Sequence, residues 1–205
     1  IAVAKSSAPA VDALIRYVVE NIDAPESTDL LIANGTVLTL DDSDTRIANG
    51  AVAVAGNKIQ AIGPEEDFRE WHIAHRIDAA GGIIMPGLIN THTHAAMSLL
   101  RGLADDLPLM TWLHDHIWPA EGRWVSEEFV TDGTRLAVAE MLRGGITCFN
   151  DMYFFPDVTG RVAATAGMRA VLGLILIDFP SAWADGPDET SIAAWKYTIN
   201  FAMTA

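Results

Sequence analysis

The sequence has one cysteine, few basic residues and no long apolar run. Cys148 has no partner for an intrachain disulfide, which suits a reducing compartment and predicts a cytoplasmic protein. Lysine and arginine number 13 against 27 aspartate and glutamate residues, a net charge of −14. Because the basic residues form no cluster, this surface would repel a nucleic-acid backbone or an anionic membrane. The longest apolar runs, 83–89 and 170–177, are too short to span a bilayer.

Hydrophobic residues make up 50% of the 205 positions, enough for a sizeable core. The first segment, residues 1–28, is predicted to be a helical extension. Its apolar residues recur at helical spacing over 10–22 and form one stripe: Val11, Leu14, Ile15, Val18, Val19 and Ile22. Such a helix is able to pack on the body of the protein or on a second subunit.

Residues 29–80 change to short β-branched runs with turn signals, which predicts the first part of a small, β-sandwich-like domain. Asn34-Gly35 is expected to connect strands 30–33 and 36–40 as a tight hairpin turn. Gly56-Asn57 is expected to do the same for strands 51–55 and 58–62. Two hairpins alone cannot bury both of their faces, so this domain needs further strands.

Residues 81–205 alternate apolar strands with helices, which predicts a parallel sheet covered by helices. The first strand, 83–91, is buried and is interrupted at Pro86-Gly87, as at a bulge or a domain crossing. The later elements are a helix from a Ser126 cap to Arg143, a strand at 146–150, a helix at 157–166 and a strand at 169–177. The pattern fits the first βα units of a (β/α)8 barrel. Since a barrel needs about 250 residues, we expect the chain to be the first part of a longer protein.

Two histidines at the end of the first barrel-like strand are the clearest candidates for chemistry. His92 and His94 are two residues apart, so on a strand both imidazoles point to the same face. Imidazole suits zinc and similar divalent metals, and barrel enzymes place their chemistry at the carboxyl ends of strands. A bare His-x-His is equally well explained by two unrelated polar residues at a strand end.

The surrounding residues carry a family resemblance. Residues 85–94, MPGLINTHTH, resemble the first-strand signature of the amidohydrolase superfamily of metal-dependent hydrolases. The segments 97–102 (MSLLRG), 105–109 (DDLPL), 150–153 (NDMY) and 178–180 (DFP) are similar to one branch of it. That branch contains 5′-methylthioadenosine/S-adenosylhomocysteine deaminases, with chlorohydrolases and guanine deaminases as close relatives.

The resemblance implies a zinc-dependent aminohydrolase that converts the adenine ring of such nucleosides to the inosine form and releases ammonia. It implies that His92 and His94 bind zinc or another divalent transition metal, and that Glu121 holds the ribose hydroxyls of the nucleoside substrate. It also implies a homo-oligomer. The family's general acid/base and remaining metal ligands are expected beyond Ala205. Guanine or cytosine deamination, triazine dechlorination and a catalytically incomplete fragment stay open as alternatives.

Other candidates have simpler interpretations. From the residues alone, Glu121 is a solvated helix-start glutamate, and the pairs His114/His116 and His72/His75 are surface positions on helices. Asp151 is either a helix cap or a partner of the metal histidines. The remaining expectations are structural: packing roles for Trp112 and Trp118, an inert core thiol at Cys148, and an ion pair of Arg101 with Asp105 or Asp106. Residues 171–174 lack an arginine that some deaminases of the branch place there, which leaves the substrate's 5′ substituent open.

Overall fold

The computed structural model describes residues 26–175, 180–181 and 183–184. The helix predicted over 10–22 and the end of the strand predicted over 169–177 lie outside these residues. The chain divides into two units between Pro86 and Gly87. No helix in the described ranges combines the length and hydropathy that a membrane span requires.

The first unit contains one mixed five-stranded sheet. Its strands are β1 (Ser27–Leu38), β2 (Arg46–Ala55), β3 (Lys58–Pro64), β4 (His72–Asp78) and β5 (Ile83–Ile84), with a 3-10 turn at Glu65–Phe68. The order is β3-β2-β1-β4; β2 is antiparallel to both β1 and β3, whereas β4 and β5 pair in parallel with different parts of β1. Apolar side chains of β1 and β2 and one ring of the 3-10 turn form its buried core: Leu31, Ala33, Ala51, Ala53 and Phe68.

One of the two predicted hairpins is confirmed, and the other is wrong. Gly56-Asn57 joins β2 to β3, with Gly56 at φ +58°. Asn34 also has a positive φ, 57°, but β1 continues through it as a bulge, because two residues of β1, Ala33 and Asn34, face one residue of β2, Ala51. Tertiary partners stabilise the bulge: the Asn34 backbone N–H donates to Glu65 (2.8 Å), and its side-chain amide donates to Asp78 (2.7 Å).

His72 and His75 are surface positions, as predicted, but the helix expected for them is wrong. Both lie on β4, exposed, where they face Ser27 and Leu30 of β1. Strand pairing overrides a three-residue spacing that is compatible with a helix, because residues 27–33 of β1 offer a free edge to this segment.

The second unit is a three-stranded parallel sheet with helical connections. Its strands are β6 (Leu88–Thr93), β7 (Ile146–Met152) and β8 (Arg169–Gly173), in that order. Between β6 and β7 lie a 3-10 helix (Ala95–Leu100), α1 (Leu109–Trp112), a π-helical turn (Leu113–Ile117), α2 (Trp118–Trp124) and α3 (Glu127–Arg143); α4 (Pro156–Thr165) joins β7 to β8. The predicted alternation of parallel strands and helices is therefore confirmed over this part.

Local capping signals account for the bounds of α3 and α4. The Ser126 hydroxyl accepts a hydrogen bond from the Phe129 N–H (3.2 Å) at the start of α3. Gly145 and Gly167 follow α3 and α4 at positive φ angles of 78° and 68°, which a Cβ would strain. Between these helices and the sheet lies a core that includes Val138, Met141, Phe149, Ala163 and Met168.

The strand predicted as buried over 83–91 is split and largely exposed. Its two parts, β5 and β6, are separated by Met85-Pro86-Gly87, and Leu88 and Ile89 are 52% and 63% exposed. Within the described residues β6 pairs only with β7, so one of its edges and much of its apolar surface have no cover. The strand is apolar as predicted, but within the described residues it is not buried.

Helix α3 approaches the segment after β6 closely at one glycine. A Cβ added to Gly133 would lie 2.8 Å from the Ala96 Cα and closer still to the Ala96 carbonyl oxygen. Ala96 is fully buried. The absence of a side chain at Gly133 therefore sets how near α3 comes to the residues directly after His94.

We expect Gly133→Ala to lower the free energy of unfolding by about 1–3 kcal/mol, as overpacking does. The matched control is Gly122→Ala, since Gly122 also lies in a helix but has open space around its added Cβ. That variant should be neutral or more stable by up to about 1 kcal/mol, because alanine is the better helix former. Urea unfolding of both variants is the measurement, and equal effects would contradict the close approach.

Candidate functional site

The candidate site lies where β6 and β7 end. His92 is exposed and His94 is half-buried; their ring centroids are 5.1 Å apart and their planes are nearly perpendicular, at 83°. Two imidazoles that bind one tetrahedral zinc through bonds of about 2.0–2.1 Å have ring centres roughly 5 Å apart. The spacing of the pair therefore fits one shared ion.

A backbone carbonyl orients His94. The Nδ1 atom of His94 lies 2.6 Å from the Met152 carbonyl oxygen at the end of β7. Because a carbonyl only accepts, Nδ1 carries the proton and donates it, which leaves Nε2 with a free lone pair. This is the tautomer that a metal ligand needs, and the bond also fixes the plane of the ring.

Asp151 holds the chain on both sides of His94. It is 2% exposed, and its Oδ1 atom accepts hydrogen bonds from the Ala95 N–H (2.7 Å) and the Thr93 hydroxyl (2.8 Å). Burial raises the pKa of Asp151, and these hydrogen bonds oppose the rise. Of its two interpretations, helix capping is wrong, because the residue at the start of α4 is Phe155 and α4 has no side-chain cap.

Glu121 on α2 faces the same strand end. Its Oε1 atom accepts a hydrogen bond from the Tyr153 hydroxyl, at 2.8 Å, and the Tyr153 ring centroid lies 6.4 Å from that of His94. Burial raises the pKa of Glu121, opposed by the Tyr153 hydrogen bond and by His94. Burial and the neighbouring Glu121 carboxylate raise the pKa of Tyr153 far above its ordinary value, so its hydroxyl stays protonated and donates.

The π-helical turn before α2 sets the direction of Glu121. Pro119 lacks an N–H, and its ring would clash with the carbonyl of Asp115 in a regular helix; a wider turn relieves this clash. Ile117 ends the wide turn and is 2% exposed. Glu121 comes four residues later and so lies on the same, inward side of the helix.

Several other expectations have clear outcomes. His114 and His116 are exposed on the π-helical turn, as predicted for surface residues, and the His114 ring packs edge-on against Trp118. The predicted pairing of Arg101 with Asp105 or Asp106 is wrong: Arg101 makes two hydrogen bonds to Glu140 of α3, at 2.9 and 2.7 Å. Cys148 is half-buried rather than fully in the core.

The segment 150–153 contains Tyr153, but the sequence alone predicts no role for it. An available signal was its position directly after an apolar strand, where side chains reach the same rim as His92 and His94. Its partner Glu121 is 32 residues away, and no local pattern links the two.

The donor set fits a metal in kind but supplies only part of a coordination shell. His92 and His94 offer two nitrogen ligands, whereas zinc in proteins takes four ligands or three plus water. Within the described residues, no group of three or more histidine, cysteine, aspartate or glutamate side chains has metal-binding geometry. The pair is therefore compatible with zinc and does not complete its site.

Comparison with known proteins shows that the chain is similar to amidohydrolases. The model of the amidohydrolase family matches residues 83–203. Over 162 residues the chain is 48% identical to the 5-methylthioadenosine/S-adenosylhomocysteine deaminase of Saccharophagus degradans, covering 78% of this chain and 36% of that protein. The chain thus spans about a third of the length of this relative.

Solved structures agree in fold. An adenosine deaminase from Xanthomonas campestris, crystallised with bound zinc, matches with a TM-score of 0.83 and 47% identity, over 86% of this chain and 40% of its own. The atrazine chlorohydrolase of Arthrobacter aurescens matches with a TM-score of 0.70 and 23% identity, over 83% of this chain and 42% of its own. The second likeness shows the fold alone.

The raised pKa of Glu121 predicts a stability cost at neutral pH. Because the folded state disfavours the ionised form, wild-type stability falls as pH rises from about 4, the ordinary glutamate value, through the raised pKa. Glu121→Gln keeps an oxygen acceptor for Tyr153 without the charge, so we expect it to be more stable than wild type at pH 7.

Urea unfolding of the metal-free protein between pH 4 and 8 measures this difference. The advantage of Glu121→Gln should shrink towards pH 4, as Glu121 becomes protonated in the unfolded state as well as in the folded state. Glu70→Gln, at an exposed position, is the control and should change the free energy of unfolding by less than about 0.5 kcal/mol. A glutamine variant less stable than wild type at pH 7 would contradict the direction of the shift.

Proposed function

The chain belongs to the amidohydrolase family, and on that premise we propose that the whole protein is a zinc-dependent aminohydrolase acting on 5′-thioadenosine nucleosides. Water attacks C6 of the adenine ring and ammonia leaves, giving the inosine form. The observation that carries the proposal is the meeting of an oriented histidine pair and a half-buried carboxylate at the ends of β6 and β7. The complete architecture we propose is a (β/α)8 barrel with a small β-domain.

His92 and His94 would hold the metal, zinc or another divalent transition metal. Such a metal supplies activation of water as a nucleophile near neutral pH. The part played by this chain is to keep the two imidazoles in place: the Met152 carbonyl fixes the tautomer of His94, and Asp151 fixes the backbone around it. Hydrogen-bonded partners of this kind are typically worth 10–100-fold in metal affinity.

Glu121 would bind the ribose of the nucleoside. An ionised carboxylate accepts several hydrogen bonds, and a vicinal diol donates two. The hydrogen bond from Tyr153 occupies one acceptor position, on Oε1, so both diol hydroxyls still find acceptors. The proximity of Tyr153 to both Glu121 and His94 supports a single site that orients the sugar beside the metal ligands. We assign no residue of this chain to proton transfer.

The substrate proposal is tested by ammonia release from a panel. We expect the highest kcat/KM with 5′-methylthioadenosine or S-adenosylhomocysteine, and use 5′-deoxyadenosine to report on the 5′ substituent. Guanine, cytosine and atrazine represent the alternative reactions of related enzymes. Ammonia from guanine or cytosine, or chloride from atrazine, with none from the adenine nucleosides would overturn the proposal. The cytoplasmic location and the homo-oligomeric state stay predictions.

The metal assignment predicts that His92→Ala and His94→Ala lose both metal and activity. We expect activity to fall roughly a thousandfold or more, since the metal contributes several kcal/mol to the transition state. Metal retained after dialysis is measured in parallel by elemental analysis. His114→Ala and His116→Ala repeat the same His-x-His spacing at exposed positions and should keep both. Full metal content in either of the first two variants would show that the assignment is wrong.

A further inference from the structure

One hydrogen bond connects the proposed ribose carboxylate to the strand that orients a proposed metal ligand. Tyr153 is 4% exposed, and its hydroxyl donates to Glu121 Oε1 at 2.8 Å. Tyr153 comes directly after Met152, whose carbonyl accepts the hydrogen bond from His94. Two adjacent residues therefore hold the two side chains: Met152 binds the ring of His94, and Tyr153 binds the carboxylate of Glu121.

The Tyr153 ring and its hydroxyl have separable roles. The ring packs in a cluster with Ala96, Val130 and Val158, and its centroid lies 5.1 Å from that of Phe154. This packing would be complete with a phenylalanine. The hydroxyl reaches out of the cluster to one carboxylate oxygen. A buried ring that holds a hydroxyl rigidly is suited to fix the direction of a partner on a separate helix.

We propose that Tyr153 is a positioning residue that sets Glu121 for the ribose diol and so determines specificity for ribonucleosides over sugars that lack these hydroxyls. The inference rests on the proposed binding role of Glu121. Without the Tyr153 hydroxyl, the Glu121 side chain has other rotamers open to it, and the diol has to order the carboxylate on binding. The adenine ring and the metal ligands do not touch this hydrogen bond in the proposal, so the chemical step is unaffected.

The experiment compares two substrates in the whole protein: 5′-methylthioadenosine and its 2′,3′-dideoxy counterpart. Tyr153→Phe should raise KM for the ribonucleoside about tenfold, the size expected for a lost hydrogen bond to a charged group. We expect kcat to change by less than about twofold, because the lost interaction stabilises the bound substrate and the transition state equally. Neither constant should change for the dideoxy substrate, whose normal turnover also reports that the variant is folded.

The control separates the hydroxyl from the packing. Phe154→Leu loosens the ring cluster beside Tyr153 but leaves its hydroxyl in place, so any effect should be equal for both substrates. In a Glu121→Ala background, adding Tyr153→Phe should produce no further change in the preference for the ribonucleoside. A ribose-specific effect of Phe154→Leu, or full additivity of Tyr153→Phe with Glu121→Ala, would overturn the inference.

Failure of this inference is distinguishable from failure of the function. If Glu121→Ala leaves the preference for ribose unchanged, the proposed role of Glu121 is wrong, and that of Tyr153 falls with it. If Glu121→Ala abolishes the preference but Tyr153→Phe does not reduce it, only the role of Tyr153 is wrong.

Should Tyr153→Phe not fold, infrared difference spectra of the wild-type protein with ring-deuterated tyrosine provide the test. Binding of the ribonucleoside product is expected to shift a tyrosine C–O band, and binding of its dideoxy form is not. Absence of a shift, or an equal shift with both ligands, overturns the inference.

Discussion

The site depends on how the carboxyl end of β7 binds the residues around His94, at the end of β6. Three consecutive residues of β7 and its continuation make three different contacts: Asp151 accepts from the residues on both sides of His94, Met152 accepts from its ring, and Tyr153 donates to Glu121. Parallel pairing of β6 with β7 brings these strand ends together. A register shift of one residue between the two strands would move the side chains of one strand to the opposite face of the sheet and break all three contacts.

Two carboxylates at this point, the buried Asp151 and the half-buried Glu121, lower the stability of the folded protein at neutral pH. Burial raises the pKa of both Asp151 and Glu121, so each is costly to keep ionised. Asp151 recovers part of that cost through two short hydrogen bonds, whereas the carboxylate of Glu121 accepts a hydrogen bond only from the Tyr153 hydroxyl within the described residues. Unused acceptor positions on a partly buried carboxylate are typical of a group that binds a ligand, which agrees with a binding role for Glu121.

Local patterns in the sequence predicted the elements well and their partners poorly. The strand period placed His92 and His94 on one face, and Ser126 marked the start of α3 because a cap acts within three residues. The turn predicted at Asn34 is wrong, because a positive φ also suits a bulge, and this bulge is held by Glu65 and Asp78, 31 and 44 residues away. Arg101 likewise pairs with Glu140 and not with Asp105 or Asp106, which are nearer in sequence, because tertiary packing determines which carboxylate is in reach.

The π-helical turn at Leu113–Ile117 determines where a change in chain length would disturb the site. A π-helical turn completes the same full circle as an α-helical turn with about one residue more, so removal of one residue within it would leave the helix after it in nearly the same orientation. Removal of one residue between Ile117 and Glu121 would instead rotate Glu121 by about 100° around the helix axis, away from Tyr153. We therefore expect a one-residue deletion to be tolerated within the turn and to disrupt the contact with Tyr153 directly after it.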